Sequence, residues 1–271
     1  MALFRTFKLD GVSSGNYGLY ISGAGVYNAP ERKMSLYAIP GKNGSLAIDE
    51  GAFGNIEVEY PAAIVSDSQE DFAEKLIAAR NWLASKHYYV RLEDDYHPDE
   101  YRQAIFKDGL DVGPVVYNHA GSFKIVFNCK PQRFLTSGED PWVEATDYTA
   151  LMDEDSVNLQ DENGDDIEGA VTLNTTITNP TAWAARPLIR ATGSGTISIG
   201  SQTITIGGIS ESTNIYIDCE SMEIYTLSGS TPVSAAKYVS FSGNSFPVIN
   251  PGSNAIVHTM PIQIIPRWWR L

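Results

Sequence analysis

Gly54-Asn55-Ile56-Glu57-Val58-Glu59-Tyr60 sets Ile56, Val58 and Tyr60 against Asn55, Glu57 and Glu59. That period of two belongs to a β-strand with one face in a core and the other in water. Just upstream, Pro40-Gly41-Lys42-Asn43-Gly44 is a dense turn between the apolar runs 35–39 and 45–48, with Asn43-Gly44 suited to positive φ, so a β-hairpin is expected. A projecting strand pair offers backbone groups to a neighbouring sheet edge, which makes Pro40, Gly41, Asn43 and Gly44 candidates for a contact between copies, with an ordinary exposed turn as the alternative. Further back, runs at 4–9, 17–21 and 34–39 read as short paired strands. Downstream, Ser66 or Asp67 can cap a helix, with Gln69 or Glu70 completing a capping box and Phe72, Leu76, Ala79 and Leu83 recurring at helical spacing to about residue 84. Strand patterns resume at 88–92, 101–107 and 122–128. The first half is therefore an α+β unit of antiparallel strands with one amphipathic helix.

The second half has a different texture. Segments 171–177, 196–199, 202–206, 214–220 and 222–227 are short, rich in Thr and Ile, and separated by Gly, Ser and Asn, with no helical period, which argues for an all-β sandwich or jelly roll. Residues 1–136 carry 14 Lys and Arg against 17 Asp and Glu, whereas residues 137–271 carry 5 against 16. Twelve of the acidic residues fall between Glu139 and Glu168 with no base among them, the composition of an exposed boundary segment. A formal net charge of −14 gives no electrostatic basis for non-specific nucleic-acid binding. Cys129 and Cys219 lie in no metal-binding spacing and read as free thilos of a chain folded in a reducing cytoplasm, with Cys219 a small core residue beside Ile215 and Ile217. Neither a secretory leader nor a membrane span is expected. The chain closes on Pro266-Arg267-Trp268-Trp269-Arg270-Leu271, and two indoles in so short a tail call for docking through Trp268 and Trp269.

A set of collinear motifs spans both halves. It comprises Phe7-x-Leu9-x-Gly11, Tyr17-Gly18-Leu19, Ile39-Pro40-Gly41-x-x-Gly44, Asn179-Pro180 and Ala185-Arg186-Pro187-Leu188-Ile189-Arg190 with Gly193-Ser194-Gly195. It continues through Ile215-Tyr216-Ile217-Asp218-Cys219-Glu220, Phe246-Pro247, Pro251-Gly252-Ser253-Asn254 and Pro266-Arg267-Trp268-Trp269. In this order the motifs resemble the distal tail proteins, the Dit family, of long non-contractile-tailed phages (siphoviruses). The resemblance implies a mainly β fold: a split-barrel-like N-terminal domain with one helix, over 1–136, and a galectin-like β-sandwich, over 169–261, on either side of the acidic boundary that the composition places over 137–168. Residues 262–271 would return to the N-terminal domain. It also implies a virion tail-tip protein without enzymatic activity or cofactor, assembled in the host cytoplasm as a homohexamer ring that joins the tail tube protein to tail-tip proteins, with receptor-binding proteins on the outer domain in some relatives. Six copies of an acidic half at one contact would repel, so the near-neutral half suits the ring.

Other motifs carry less. Gly11-Val12-Ser13-Ser14-Gly15 matches a nucleophile elbow, but a strand-like run follows it where that chemistry needs a helix. His87, His97, His119 and His258 share no ligand spacing and read as surface residues. Asp161, Asn163 and Asp165 suggest a calcium loop whose glycine and twelfth-position glutamate are out of place. Carboxylates at Glu93-Asp94-Asp95 and Asp99-Glu100 read as a solvated turn around Pro98 sooner than as a glycosidase pair. Gly193-x-Gly195 lacks the third glycine of a nucleotide loop. Trp142, Tyr148 and Trp183 near loops support a different function class, a carbohydrate-binding adsorption module for host cell-wall glycans, with Trp142 and Trp183 as its candidates.

Overall fold

A computed structural model of the chain describes residues 5–23, 27–110, 112, 120–143, 173–243 and 245–271. The chain divides into two compact units, residues 1–135 with Leu271, and residues 136–270. Both are built on antiparallel strands, and the one α-helix among the described residues belongs to the first.

In the first unit, strands β1 (Phe7–Leu9), β2 (Val12–Ser13) and β3 (Leu19–Ile21) precede a separate pair, β4 (Arg32–Ala38) and β5 (Ser45–Phe53). Then come β6 (Ile56–Val65), α1 (Gln69–Ala84), β7 (Val90–Asp94), β8 (Glu100–Ile105) and β9 (Ala120–Leu135). The main sheet runs β2-β1-β7-β8-β9-β6-β3. Its spine is the pairing of β6 with β9, continuous from Ile56 opposite Cys129 to Val65 opposite Ala120. The alternation seen in the sequence is the burial pattern of β6, with Ile56, Val58, Tyr60, Ala62 and Ile64 inward. Helix α1 lays Phe72, Ala79, Trp82 and Leu83 on that core. There Trp82 stacks on Tyr17 at 4.7 Å and on Phe7 at 5.6 Å, and Phe7 meets Phe127 edge-on at 5.4 Å. Such ring pairs add to the stabilisation from burial alone.

The helix begins later than its sequence signals suggest. Because β6 runs on to Val65, Ser66 is buried just past the strand, and the N-cap is Ser68, whose hydroxyl accepts from Asp71 N at 3.1 Å. Asp71 replaces Gln69 or Glu70 as the reciprocal residue, accepting from Asp67 N at 2.9 Å and pairing with Lys75 one turn on at 2.7 Å. Ahead of β3, Gly18 sits at φ +64°, and a Cβ there would stand 3.0 Å from the Val65 carbonyl oxygen. The turn into the sheet edge thus requires glycine.

The second unit contains β10 (Trp142–Val143), β11 (Leu173–Asn179), β12 (Leu188–Thr192), β13 (Gly195–Ile199), β14 (Gln202–Ile206), β15 (Asn214–Asp218) and β16 (Glu223–Ser228). It is completed by β17 (Thr231–Ser234), β18 (Val239–Phe241), β19 (Gly252–His258) and β20 (Ile262–Ile265). One sheet runs β10-β20-β12-β15-β16-β17 and the other β11-β19-β13-β14-β18. Ile189, Ile215, Ile217 and Ile264 of the first, and Ile197, Ile204 and Ile256 of the second, are fully buried, as the inner faces of a β-sandwich are. Residues 262–265, grouped with the N-terminal domain in the sequence reading, pair with β12 inside this sandwich. Their alternation of Ile262 and Ile264 completes its inner face.

Both cysteines are buried free thiols, and burial pushes each up to about 12, so neither is a nucleophile near neutral pH. His258 is not at the surface. Strand period puts it inward with Asn254 and Ile256, and a ring nitrogen lies 2.7 Å from the Met260 carbonyl oxygen.

Candidate functional site

Strands β4 and β5 form a two-stranded sheet of their own. Tyr37 stands opposite Leu46 and Ser35 opposite Ile48, so Tyr37, Leu46 and Ile48 share one face, while Met34, Leu36 and Ala47 share the other. None is covered: Leu36 is 68% exposed, Tyr37 55%, Leu46 49%, Ile48 48% and Met34 47%. A lone two-stranded hairpin is marginal in water, and soluble monomers rarely show so continuous an apolar patch. The arm is braced from within its base by the Arg32–Asp49 ion pair, a hydrogen bond from Ser35 to Glu50 at 2.8 Å and Arg32 over the Phe53 ring at 5.2 Å. At the tip the positive φ angles belong to Gly41 at +79° and Gly44 at +82°, and Asn43 takes no such conformation. The sequence candidates Pro40, Gly41, Asn43 and Gly44 therefore form the tip. The apolar flanks behind them, Met34 to Tyr37 and Leu46 to Ile48, carry the chemistry, which the turn motif alone does not reveal.

The C-terminal tail is docked, and its described partners within the second unit are specific. Arg267 takes a left-handed conformation at φ +58°, its N–H donates to the Gly138 carbonyl at 2.7 Å, and its guanidinium grips Asp218 in a fork at 2.7 and 3.0 Å. Trp268 is 6% exposed and lies so close to Gly138 that a Cβ there would stand 2.3 Å from the Trp268 nitrogen. Trp269 stacks on Trp183 at 5.3 Å, and its indole N–H donates to the Ala184 carbonyl at 3.0 Å. Burial raises the Asp218 carboxyl, but Arg267 and the N–H groups of Ser221 and Glu220 outweigh it, so the group sits below the ordinary carboxylate range. A carboxyl depressed by folding stabilises above its unfolded pKa of about 3.9, and that contribution is lost as the pH falls through the lower folded value. Asp218→Asn should lower stability by about 1–3 kcal/mol at pH 7, and thermal melts at descending pH should show the gap to wild type closing below about pH 4. A gap that persists unchanged at pH 2 would place the effect elsewhere.

The remaining candidates disperse. Trp183 presents a face to Trp269, and its carbonyl accepts from Asn179 at 2.8 Å and Thr181 at 3.1 Å. The backbone of Trp142 pairs with Ile264, while its side chain lies outside the described residues. Tyr148, His119 and the acidic run 161–166 lie outside them as well. The Gly11–Gly15 motif folds as β2 and a 3₁₀ turn, with Ser13 accepting from Gly15 N and the buried Ser14 from Phe7 N, so neither serine is presented on an elbow. The turn around Pro98 is solvated at Asp95, Pro98 and Asp99, whereas the carboxylates that flank it turn inward: Asp94, which ends β7, is 11% exposed at its side chain and Glu100, which begins β8, is 4%, both on the core face of the sheet. Among the described residues, no group of three or more His, Cys, Asp and Glu side chains gathers to hold a metal ion, and no helix is long and apolar enough to cross a membrane.

No protein-family model and no curated protein matches the sequence. Solved structures do match its fold. The Dit protein of phage SPP1, described as a paradigm of the hub of the adsorption apparatus in phages infecting Gram-positive bacteria, aligns at a TM-score of 0.65 and 13% identity over 96% of each chain. A chain of the phage p2 baseplate, in its activated conformation with Ca, aligns at 0.50 and 12% identity over 97% of this chain and 98% of that one. The same baseplate with Sr gives 0.50 and 12% over 98% of each. At such identities the shared property is the fold, and it runs from end to end.

Proposed function

We propose that the chain is a structural distal tail protein, the hub of a phage or prophage baseplate with a long non-contractile tail. Six copies close into a ring through the first unit, and the second, galectin-like sandwich lies outward. The ring joins the tail tube to tail-tip and host-adsorption proteins, by docking and without catalysis. One observation carries the reading: a fold that follows SPP1 Dit along 96% of both chains bears an arm of exposed apolar side chains that a second polypeptide would cover. The arm is one patch, and its complement lies elsewhere on a copy. Such a contact is head-to-tail, and it closes as a ring when the rotation allows. The charge distribution agrees, since residues 1–136 carry 14 bases against 17 acids and can be crowded with little repulsion.

Negative-stain microscopy and mass measurement of the purified full-length chain should show closed six-membered particles at micromolar concentration. Strictly monomeric particles at every concentration reached would remove the ring. Glycan affinity without rings would favour an adsorption module in its place.

A further inference from the structure

At one margin of the sandwich the inner face runs out of cover. Phe241 and Val239 of β18 stand opposite Ile204 and Ile206, and Ile224 of β16 stands opposite Ile217, so each pair shares a face. Those isoleucine partners are buried, whereas Phe241, Val239 and Ile224 are only half-buried. With Phe246, whose ring meets Phe241 at 4.8 Å, and Met222, they line a cavity of about 580 Å³. That volume falls within the roughly 300–1,000 Å³ of ordinary ligand pockets. Among the described residues, Glu223 alone brings charge to the lining.

The main chain beside this cavity is open as well. Among the described residues, β17 ends the six-stranded sheet and β18 the five-stranded one. Gly207 N–H donates to the Tyr238 carbonyl at 3.0 Å and Ser242 N–H to the Thr203 carbonyl at 2.8 Å, which fixes the phase of the β14–β18 ladder. In an antiparallel ladder such bonds fall on every second residue, so the backbone groups of Val239 and Phe241 turn toward the free edge. The Val239 N–H is taken by the Ala236 carbonyl, which leaves the Val239 carbonyl and both groups of Phe241. On β17 the bond from Ala235 N–H to the Ile224 carbonyl puts Pro232 and Ser234 on the edge, and Pro232 has no N–H to give. Proline guards that edge, and β18 has no such guard.

We propose that β18 accepts an extended segment of a partner polypeptide, which adds a strand to the five-stranded sheet and sends alternate side chains into the cavity. Main-chain donors and acceptors along a free edge call for another main chain. Side chains that enter beside Phe241 and Ile224 must be apolar, and β-branched residues at every second position suit both the cavity and the strand. Charge selects further. Glu223 lines the cavity with no base beside it in the lining, and residues 137–271 carry 5 Lys and Arg against 16 Asp and Glu, so the segment bears lysine or arginine between its apolar positions. The site lies wholly in the second unit and stands or falls apart from the ring.

The test is fluorescence anisotropy of the full chain with labelled peptides that alternate valine with lysine, valine with glutamate, and valine with lysine on a backbone N-methylated at alternate residues. The lysine peptide should bind about tenfold or more tightly than either of the others. Glu223→Gln should weaken it by about threefold, and Val239→Lys, which sets a like charge at the edge, should abolish its binding. Hydrogen exchange read by mass spectrometry should show the peptide protecting segment 239–241. Where Val239→Lys does not fold, the N-methylated peptide and the exchange experiment decide. Equal binding of the lysine peptide and its N-methylated form would reduce the contact to adhesion and overturn strand addition, and equal binding of the glutamate peptide would overturn the basic partner. Absence of binding by all three peptides overturns the proposal outright, as do dimers of the chain that Val239→Lys dissolves, which would assign the edge to a second copy.

Discussion

Replacing Leu46 and Ile48 with glutamate is expected to abolish assembly of the proposed ring while leaving each chain folded. Both side chains lie with Tyr37 on one face of the β4–β5 arm and are 49% and 48% exposed, so the isolated chain loses little buried surface when they change. In a contact the balance reverses. Full burial of a Leu or Ile side chain is worth about 1.5–3 kcal/mol, and completing the burial of two half-covered ones is worth about half of that for each. Two carboxylates that must be desolvated in the same place add a cost of several kcal/mol, so association should weaken at least a hundredfold, about 2.7 kcal/mol. Leu227→Glu supplies the control, since Leu227 is 46% exposed on β16 of the second unit and its change should leave the rings intact. Mass photometry reads assembly, and near-ultraviolet circular dichroism reads the fold. Rings that survive the double substitution would show that the arm is not the contact.

What the sequence discloses and what it conceals both have physical causes. The β6 strand is legible because each inward residue is apolar and each neighbour at its start is polar, so pattern and burial coincide from Ile56 to Tyr60. The second half of β9 is not. Lys130, Pro131, Gln132 and Arg133 interrupt the alternation, and the pairing with β8 shifts register between Arg102 and Ala104, so the strand runs seven residues past the point where its pattern fades, to Leu135. A cluster of buried charges on the core face of the first unit's sheet is hidden for a related reason. Asp94, Glu100, Arg102 and Arg133 come from three strands, and charged residues in a sequence read as surface until the fold sets them face to face. The arm is half legible: Pro40 to Gly44 and the runs on either side announce a hairpin, but only the fold reveals that the pair joins no other strand and leaves both faces open. The tail is the converse, since two tryptophans announce docking while Asp218, which receives Arg267, looks like any polar residue ending a strand.

Truncation after Pro266 is the second large effect. It removes the ring stacked on Trp183, the indole of Trp268 packed by Gly138, and the guanidinium fork on Asp218. Loss of one buried Trp costs about 3–5 kcal/mol, and a carboxylate left half-buried without its charged partner adds about 1–3 kcal/mol. These losses share neighbours and will not add fully, so about 4–6 kcal/mol is expected. At roughly 2–4 °C per kcal/mol for a unit of this size, the melting transition of the sandwich should fall by at least about 8 °C. The strands that build the two sheets lie before the cut, so the truncated chain should keep its far-ultraviolet β signature and lose stability more than structure. Asp218→Asn placed in the truncated background separates the terms. With Arg267 gone, the carboxylate lacks its chief stabilising partner while the burial that raises it persists, so the substitution should be nearly neutral or stabilising there, in contrast to its cost in the full chain. If truncation left the melting temperature unchanged, the tail contacts would hold the terminus without supporting the sandwich. If Asp218→Asn cost the same in both backgrounds, the fork with Arg267 would not be the interaction that sets the Asp218 carboxyl below its ordinary range.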